Sequence, residues 1–217
     1  MCGIVGAVAQ RNVAAILMEG LRRLEYRGYD SAGIAVLGDT GEMHCRRAVG
    51  KVHDLASALG DTPFLGKTGI AHTRWATHGK PAEHNAHPHQ SYNEIALVHN
   101  GIIENHQALR DKLTTLGYQF SSETDSEVVV HLINHYLKEN NNHFVDAVKS
   151  TTQDLEGAFA LGIMSKQHPE QIIGVRRGCP LVVGLGIDEI FIASDQLALL
   201  PVAQKFIYLE DGDIVHV

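Results

Sequence analysis

The sequence predicts an α+β fold in which two antiparallel sheets stack between helical layers. Three observations carry this. Strands and helices arrive in blocks rather than in strict alternation, which favours segregated layers over a doubly wound parallel sheet. Several short runs, residues 3–9 and 158–164 among them, are apolar on both faces, as strands covered on both sides must be. The long amphipathic segments in the middle of the chain need a sheet face to bury their apolar stripes.

In order, residues 3–9 read as a buried strand with glycines where backbone or ligand comes close. Asn12 is placed to cap a helix reaching about Tyr26. Val13, Ile16, Leu17, Leu21 and Leu24 share one face, and Arg22 and Arg23 sit where positive charge suits the helix dipole. A glycine-punctuated loop, 24–33, feeds a strand at 34–37, and the turn Gly38-Asp39-Thr40-Gly41 returns a partner at 42–48. Residues 51–59 fit a short helix. Residues 68–75 begin as an apolar strand and end in polar groups, and a histidine-rich loop follows at 76–92. A strand at 94–99 runs into Asn100-Gly101. Residues 105–116 repeat at helical spacing with Gly117 as the stop. Thr124 is placed to cap a second helix with Val128, Val129, Leu132, Ile133 and Tyr136 inward. Asn140-Asn141-Asn142 separates it from a third helix over about 144–155. Strands then follow at 158–164, 172–176, 180–184 and 190–193. Ser194-Asp195 is placed to cap a short helix over 196–200, and strands at 206–209 and 214–217 close the chain. No linker or repeat interrupts residues 1–217, so one domain is expected.

Composition narrows the function. Lys and Arg number 18 against 25 Asp and Glu, a formal charge of −7, and no basic stripe stands out. This argues against nucleic acid or an anionic membrane as the partner. No apolar run approaches transmembrane length, and the start lacks the basic segment and apolar core of a signal peptide. The three cysteines, Cys2, Cys45 and Cys179, have no metal-type spacing; with no secretion signal they imply free thiols in a reducing cytoplasm. There is no phosphate-cradling glycine loop, and no cofactor is expected.

Chemistry is concentrated in a few stretches. Removal of Met1 would put the Cys2 thiol and a free α-amine on one residue. An α-amine titrates at roughly 7.7–8.0 and is able to take the thiol's proton near neutrality, as in N-terminal threonine nucleophiles. The same residues also fit an arbitrary cysteine before a core strand. HTRWATHG, residues 72–79, puts Arg74 beside Trp75, a pairing suited to a carboxylate with an apolar stem; it equally fits a surface loop with one packed tryptophan. Asn100-Gly101 offers a side-chain amide and a backbone N–H that together would stabilise an oxyanion, or simply a turn dipeptide. Asp125 suits a substrate ammonium or a helix dipole. His84, His87 and His89 raise a zinc-hydrolase alternative, which no HExxH or cysteine pair supports.

Together and in this order, CGIVGAVA, LEYRGYDSAG, TGIAHTRWATHG, NAHPH, VHNGIIENH and SETDSE, with IASDQLALLP at 192–201, closely resemble the glutaminase domain of the glutamine–fructose-6-phosphate aminotransferases. The resemblance implies an N-terminal nucleophile hydrolase fold and hydrolysis of L-glutamine. It implies Cys2 as nucleophile with its α-amine as base, and Asn100 and Gly101 as the oxyanion hole. Arg74 would hold the glutamine α-carboxylate and Asp125 its α-ammonium. Trp75, Thr77 and His78 would form a mobile loop over the substrate, and Arg27 would help orient the nucleophile. The family carries a larger second half, a sugar-phosphate isomerase domain that binds fructose 6-phosphate and receives the ammonia. That domain is absent from these residues, so a glutaminase fragment is expected. Glutamine phosphoribosylpyrophosphate amidotransferases share the Cys-Gly-Ile start and an Asn-Gly pair, which keeps another class II amidotransferase open. A non-catalytic glutamine-binding module, with Met1 still capping Cys2, is the other alternative.

Overall fold

Alternation along the strands sorts side chains to two sides, and three cores result. The computed structural model describes residues 2–60, 64–141 and 143–217. The first half runs β1 (Gly3–Val8), α1 (Ala14–Arg23), β2 (Ser31–Leu37), β3 (Met43–Val49), α2 (Val52–Leu59), β4 (Thr68–Arg74), β5 (His89–Ser91) and β6 (Ile95–Ile103). The second runs α3 (His106–Thr115), α4 (Glu127–Glu139), α5 (Phe144–Asp154), β7 (Gly157–Ser165), β8 (His168–Arg177), β9 (Val182–Leu185), β10 (Ile190–Ala193), β11 (Lys205–Tyr208) and β12 (Ile214–His216).

Among the described residues a seven-stranded sheet has the order β11-β9-β10-β1-β4-β2-β3, and a five-stranded sheet the order β12-β8-β7-β6-β5. Neighbouring strands are antiparallel throughout. In β1, Val5 and Ala7 face the core shared with α1 and α2, while Ile4 faces the core between the sheets. In β7, Phe159, Leu161 and Ile163 face α3, α4 and α5, while Ala160 and Met164 face the first sheet. This is the expected sandwich, and the period of two explains why both faces of these strands are apolar. Leu17, Leu21 and Leu24 are fully buried, each stabilising by about 1.5–3 kcal/mol.

Four local expectations change. The first helix ends at Arg23 rather than Tyr26. Leu24 N–H bonds back three residues to Leu21, a tighter turn over Glu25–Arg27 follows, and Gly28 at φ 74° turns the chain away. At its start the cap position falls to Val13 rather than Asn12, although Asn12 Oδ1 still accepts Ala14 N–H at 3.1 Å. The strand expected at 94–99, β6, does not stop at His99. It continues to Ile103 because Asn100 and Gly101 pair with Ala160 and Phe159 of β7, so Asn-Gly is not a turn here. Thr124 is not a cap; its hydroxyl meets His89 Nε2 at 3.0 Å, and α4 starts at Glu127. The helix expected at 196–200 is a single turn, Gln196–Ala198, capped by Asp195, which accepts Leu197 N–H. Pro201 disfavours helical geometry at the residue before it.

Candidate active site

Strand register brings the start of the chain to its most polar loop. β1 lies between β10 and β4, and Gly3 faces Thr73. Cys2 therefore stands at the sheet end where β4 gives way to Trp75. Its Sγ accepts the Trp75 N–H at 3.2 Å and lies 3.6 Å from the Trp75 carbonyl oxygen. Ser194 braces the next turn of backbone: its Oγ accepts Ile4 N–H at 3.0 Å, and its own N–H donates to Ile4 O at 3.1 Å. Burial pushes the Cys2 thiol up, and the Trp75 N–H only partly offsets this. The group therefore rests as a thiol at neutral pH, and reaching the reactive thiolate form requires a base to take its proton.

A cleft of about 550 Å³ opens in front of this thiol. Cys2, Arg27, Trp75, Thr77, Asn100 and Gly101 line it, joined by Ile102, Cys179 and Pro180. Asn100 Nδ2 donates to Cys2 O at 3.2 Å, so the side-chain amide sits directly against the backbone of the cysteine. Gly101 has φ 122°, and a side chain there would strike the β7 backbone. The Trp75 ring lies over Gly28, where an added Cβ would come within 2.6 Å of it. Arg27 is nearly buried and lies 3.8 Å from Asp195, which also accepts the Tyr26 hydroxyl at 2.6 Å.

Arg74, His78 and Asp125 stand beside this lining rather than in it. Arg74 is buried and donates to the carbonyls of His78 and Gly79, while its Nη1 has no partner among the described residues. Burial lowers its affinity for its proton, with Asp30, Cys2 and Asp125 acting the other way. Asp125 stands just before the start of α4, and its oxygens meet other elements: one accepts Ile103 N–H at 2.8 Å and the other lies 3.8 Å from His78 Nδ1. One loop residue, His78, thus touches both the guanidinium and the carboxylate.

The histidines of residues 84–89 separate. His84 is exposed, 4.0 Å from Glu123. His87 and His89 turn inward, where the His87 ring centroid lies 4.2 Å from that of His72 and 4.6 Å from that of His89. Among the described residues no three histidine, cysteine or acidic groups are placed to hold a metal ion, so the zinc alternative has no site there. Nor is any described helix long and apolar enough to cross a membrane.

The family profile of the glutamine amidotransferase domain matches residues 72–201. The chain belongs to this family. Two curated relatives are glutamine–fructose-6-phosphate aminotransferases (isomerizing). That of Pseudomonas putida is 58% identical over 217 residues, and that of Acinetobacter baylyi 59% over 216. Each match covers 100% of this chain but 35% of the relative, so the chain spans about a third of their length. Among solved structures, the glutamine phosphoribosylpyrophosphate amidotransferase of B. subtilis, complexed with ADP and GMP, superposes with a TM-score of 0.82 at 27% identity. It is matched over 99% of this chain and 47% of that one. A class-II glutamine aminotransferase domain protein of Silicibacter pomeroyi shares the fold alone, with a TM-score of 0.61 at 13% identity. The N-terminal nucleophile sandwich expected from the sequence is therefore the fold of this amidotransferase domain.

Several residues around the amidotransferase cleft escaped sequence reasoning. Asp30 Oδ2 accepts Ala76 N–H at 2.6 Å and so ties the loop after β4 to the loop before β2. Ser194 braces β1, and Cys179 forms a wall of the cleft. His72 Nε2 lies 3.0 Å from Asn100 Oδ1. Asp30 lies in the quoted motif EYRGYDSAG and His72 heads HTRWATHG, so the signal was present; their partners are set by strand register.

Proposed function

We propose that this amidotransferase domain hydrolyses L-glutamine to glutamate and ammonia with Cys2 as nucleophile. Met1 lies outside the described residues, and its removal is part of the proposal. The freed α-amine takes the thiol proton. The thiolate attacks the carboxamide carbon, and the carbonyl oxygen becomes an oxyanion held by Asn100 Nδ2 and Gly101 N–H. The α-ammonium then returns its proton to the leaving ammonia, forming a γ-glutamyl thioester that water cleaves. Arg74 holds the substrate α-carboxylate and Asp125 its α-ammonium, with Trp75, Thr77 and His78 closing over them and Arg27 helping to orient Cys2. In the longer enzyme the ammonia would pass to a sugar-phosphate isomerase domain to convert fructose 6-phosphate to glucosamine 6-phosphate. A reducing cytoplasm suits the three free thiols.

The observation that carries this reading is the contact of the Asn100 amide with Cys2 in the floor of the cleft. An amide donor beside a thiol nucleophile is the arrangement acyl transfer needs. The contacts of His78 with Arg74 and Asp125 fit it too: an amino acid's two charged ends would replace one loop residue's carbonyl and ring. The test is glutamate release from glutamine by a sample whose intact mass shows Met1 gone. Cys2→Ala should abolish turnover, and equal rates in the two proteins would sink the mechanism. Glutamine binding without turnover in the processed sample would favour a binding module instead.

A further inference from the structure

The oxyanion reading of Asn100 leaves open what keeps a primary amide in one orientation. An asparagine amide turned by a half-rotation presents its oxygen where its nitrogen was, and an oxygen facing a developing oxyanion would repel it. We infer that His72 is a positioning residue that locks the Asn100 amide with its nitrogen toward Cys2. This rests on the assignment of Asn100 as an oxyanion donor.

Donor and acceptor inventory fixes the orientation of the amide. The Cys2 carbonyl oxygen only accepts, and the Asn100 amide group 3.2 Å from it must therefore be the NH2. Oδ1 then faces His72, whose Nε2 lies 3.0 Å away. The same Nε2 lies 2.8 Å from the carbonyl oxygen of His99. Both neighbours are acceptors, so Nε2 carries the hydrogen and shares it between them. His72 Nδ1 keeps a lone pair and has no partner among the described residues. The ring is fully buried and lies against that of His87 at 4.2 Å between centroids. Burial holds its pKa down to about 3, so the neutral ring with a fixed hydrogen persists through the physiological range. Strand geometry sets up the meeting: His72 is the fifth residue of β4 in the first sheet, Asn100 the sixth of β6 in the second. The bond crosses between the sheets and makes the oxyanion donor's orientation a property of how they stack.

The test uses the 217-residue chain with Met1 removed. Asn100→Ala should lower kcat roughly 10²–10³-fold, the usual cost of deleting an oxyanion donor. His72→Phe keeps a buried ring but deletes the donor; it should lower kcat about 10- to 100-fold, with KM for glutamine within about threefold. His72→Gln, whose amide nitrogen reaches the place of Nε2, should recover most of that loss. Alkylation of Cys2 by iodoacetamide needs no oxyanion hole and should stay within about twofold in all three. In His72→Phe/Asn100→Ala the losses should not multiply: the double variant should match Asn100→Ala, since an absent amide needs no orientation. Multiplying losses, or a His72→Phe kcat near the parent beside an impaired Asn100→Ala, would overturn the inference alone. An unimpaired Asn100→Ala would instead remove the oxyanion reading and this one with it. If His72→Phe does not fold, long-range ¹⁵N–¹H correlations of the unaltered protein decide. A neutral His72 protonated at Nε2 is expected between about pH 6 and 8, and the Nδ1-protonated tautomer would refute the lock.

Discussion

A methyl group placed on Gly101 tests whether the Asn-Gly pair belongs to a strand. The residue sits at φ 122°, a region open essentially to glycine alone. An added Cβ would fall inside contact distance of the Ala158 carbonyl oxygen and 2.8 Å from Phe159 Cα. These are backbone atoms of β7, held between β6 and β8, and no rotamer change relieves the clash. The backbone strain costs about 1–3 kcal/mol, and forcing the extra carbon between the strands costs about 1–3 kcal/mol more. Gly101→Ala should therefore lose about 2–6 kcal/mol, against a total stability on the order of 5–15 kcal/mol. With a urea slope near 2 kcal/mol per M, the unfolding midpoint should fall by about 1–3 M. Gly41→Ala is the control: φ is 89° there, but no atom of the described residues lies within 4 Å of the new carbon, so only the backbone cost applies. The folded fraction of Gly101→Ala should also lose at least about tenfold in kcat, since the 101 N–H is displaced. A Gly101→Ala midpoint within about 0.3 M of the Gly41→Ala midpoint would refute the in-strand geometry.

Three further outcomes follow from particular contacts. Ser194→Ala leaves the buried Ile4 N–H without its acceptor and should cost about 1–3 kcal/mol in urea unfolding; a change under about 0.3 kcal/mol would contradict the brace. Burial holds His72 and His89 down to about 3 in the folded protein, whereas an unfolded histidine titrates near 6.5. The unfolded chain therefore takes protons first: stability is at its full value above about pH 6.5 and falls below it. At pH 5.5 the pair should cost roughly 3 kcal/mol relative to pH 7.5, and equal urea midpoints at the two values would be the refuting result. The Cys2 thiol, pushed up by burial, should alkylate more slowly with iodoacetamide than a free thiol at pH 7. Its rate should still be climbing above about pH 8.5, and a plateau below pH 8 would mean a depressed thiol.

Local chemistry was legible and register was not. The strand at Ile190–Ala193 and the helical spacing of α3 could be read directly, because each is decided within a few residues. So could the two-layer sheet packing, since period-two apolar runs must be covered on both sides. The continuation of β6 through Asn100-Gly101 could not, because it depends on pairing with β7 nearly sixty residues later. The same holds for Thr124, drawn from its capping role by His89 on another element. At the site, residue types in motifs could be named, but not that Arg74 and Asp125 would both meet His78. Nor could it be seen that a histidine in one sheet would face the Asn100 amide in the other. Those meetings are set by the stacking of the sheets, which no short stretch of sequence encodes.

Trp75 has a consequence outside catalysis. It is the chain's single tryptophan, about half exposed, with its ring over Gly28 and its backbone flanking the Cys2 thiol. The whole indole emission of the protein thus originates at the mouth of one cleft. Fluorescence becomes a local gauge: closure of the loop over a ligand, or alkylation of Cys2, registers without any added dye. Denaturation followed by emission alone records release of that loop, whereas far-ultraviolet circular dichroism records parting of the sheets. Where the two curves separate, the gap measures how much more weakly the cleft's lip is held than the sandwich beneath it.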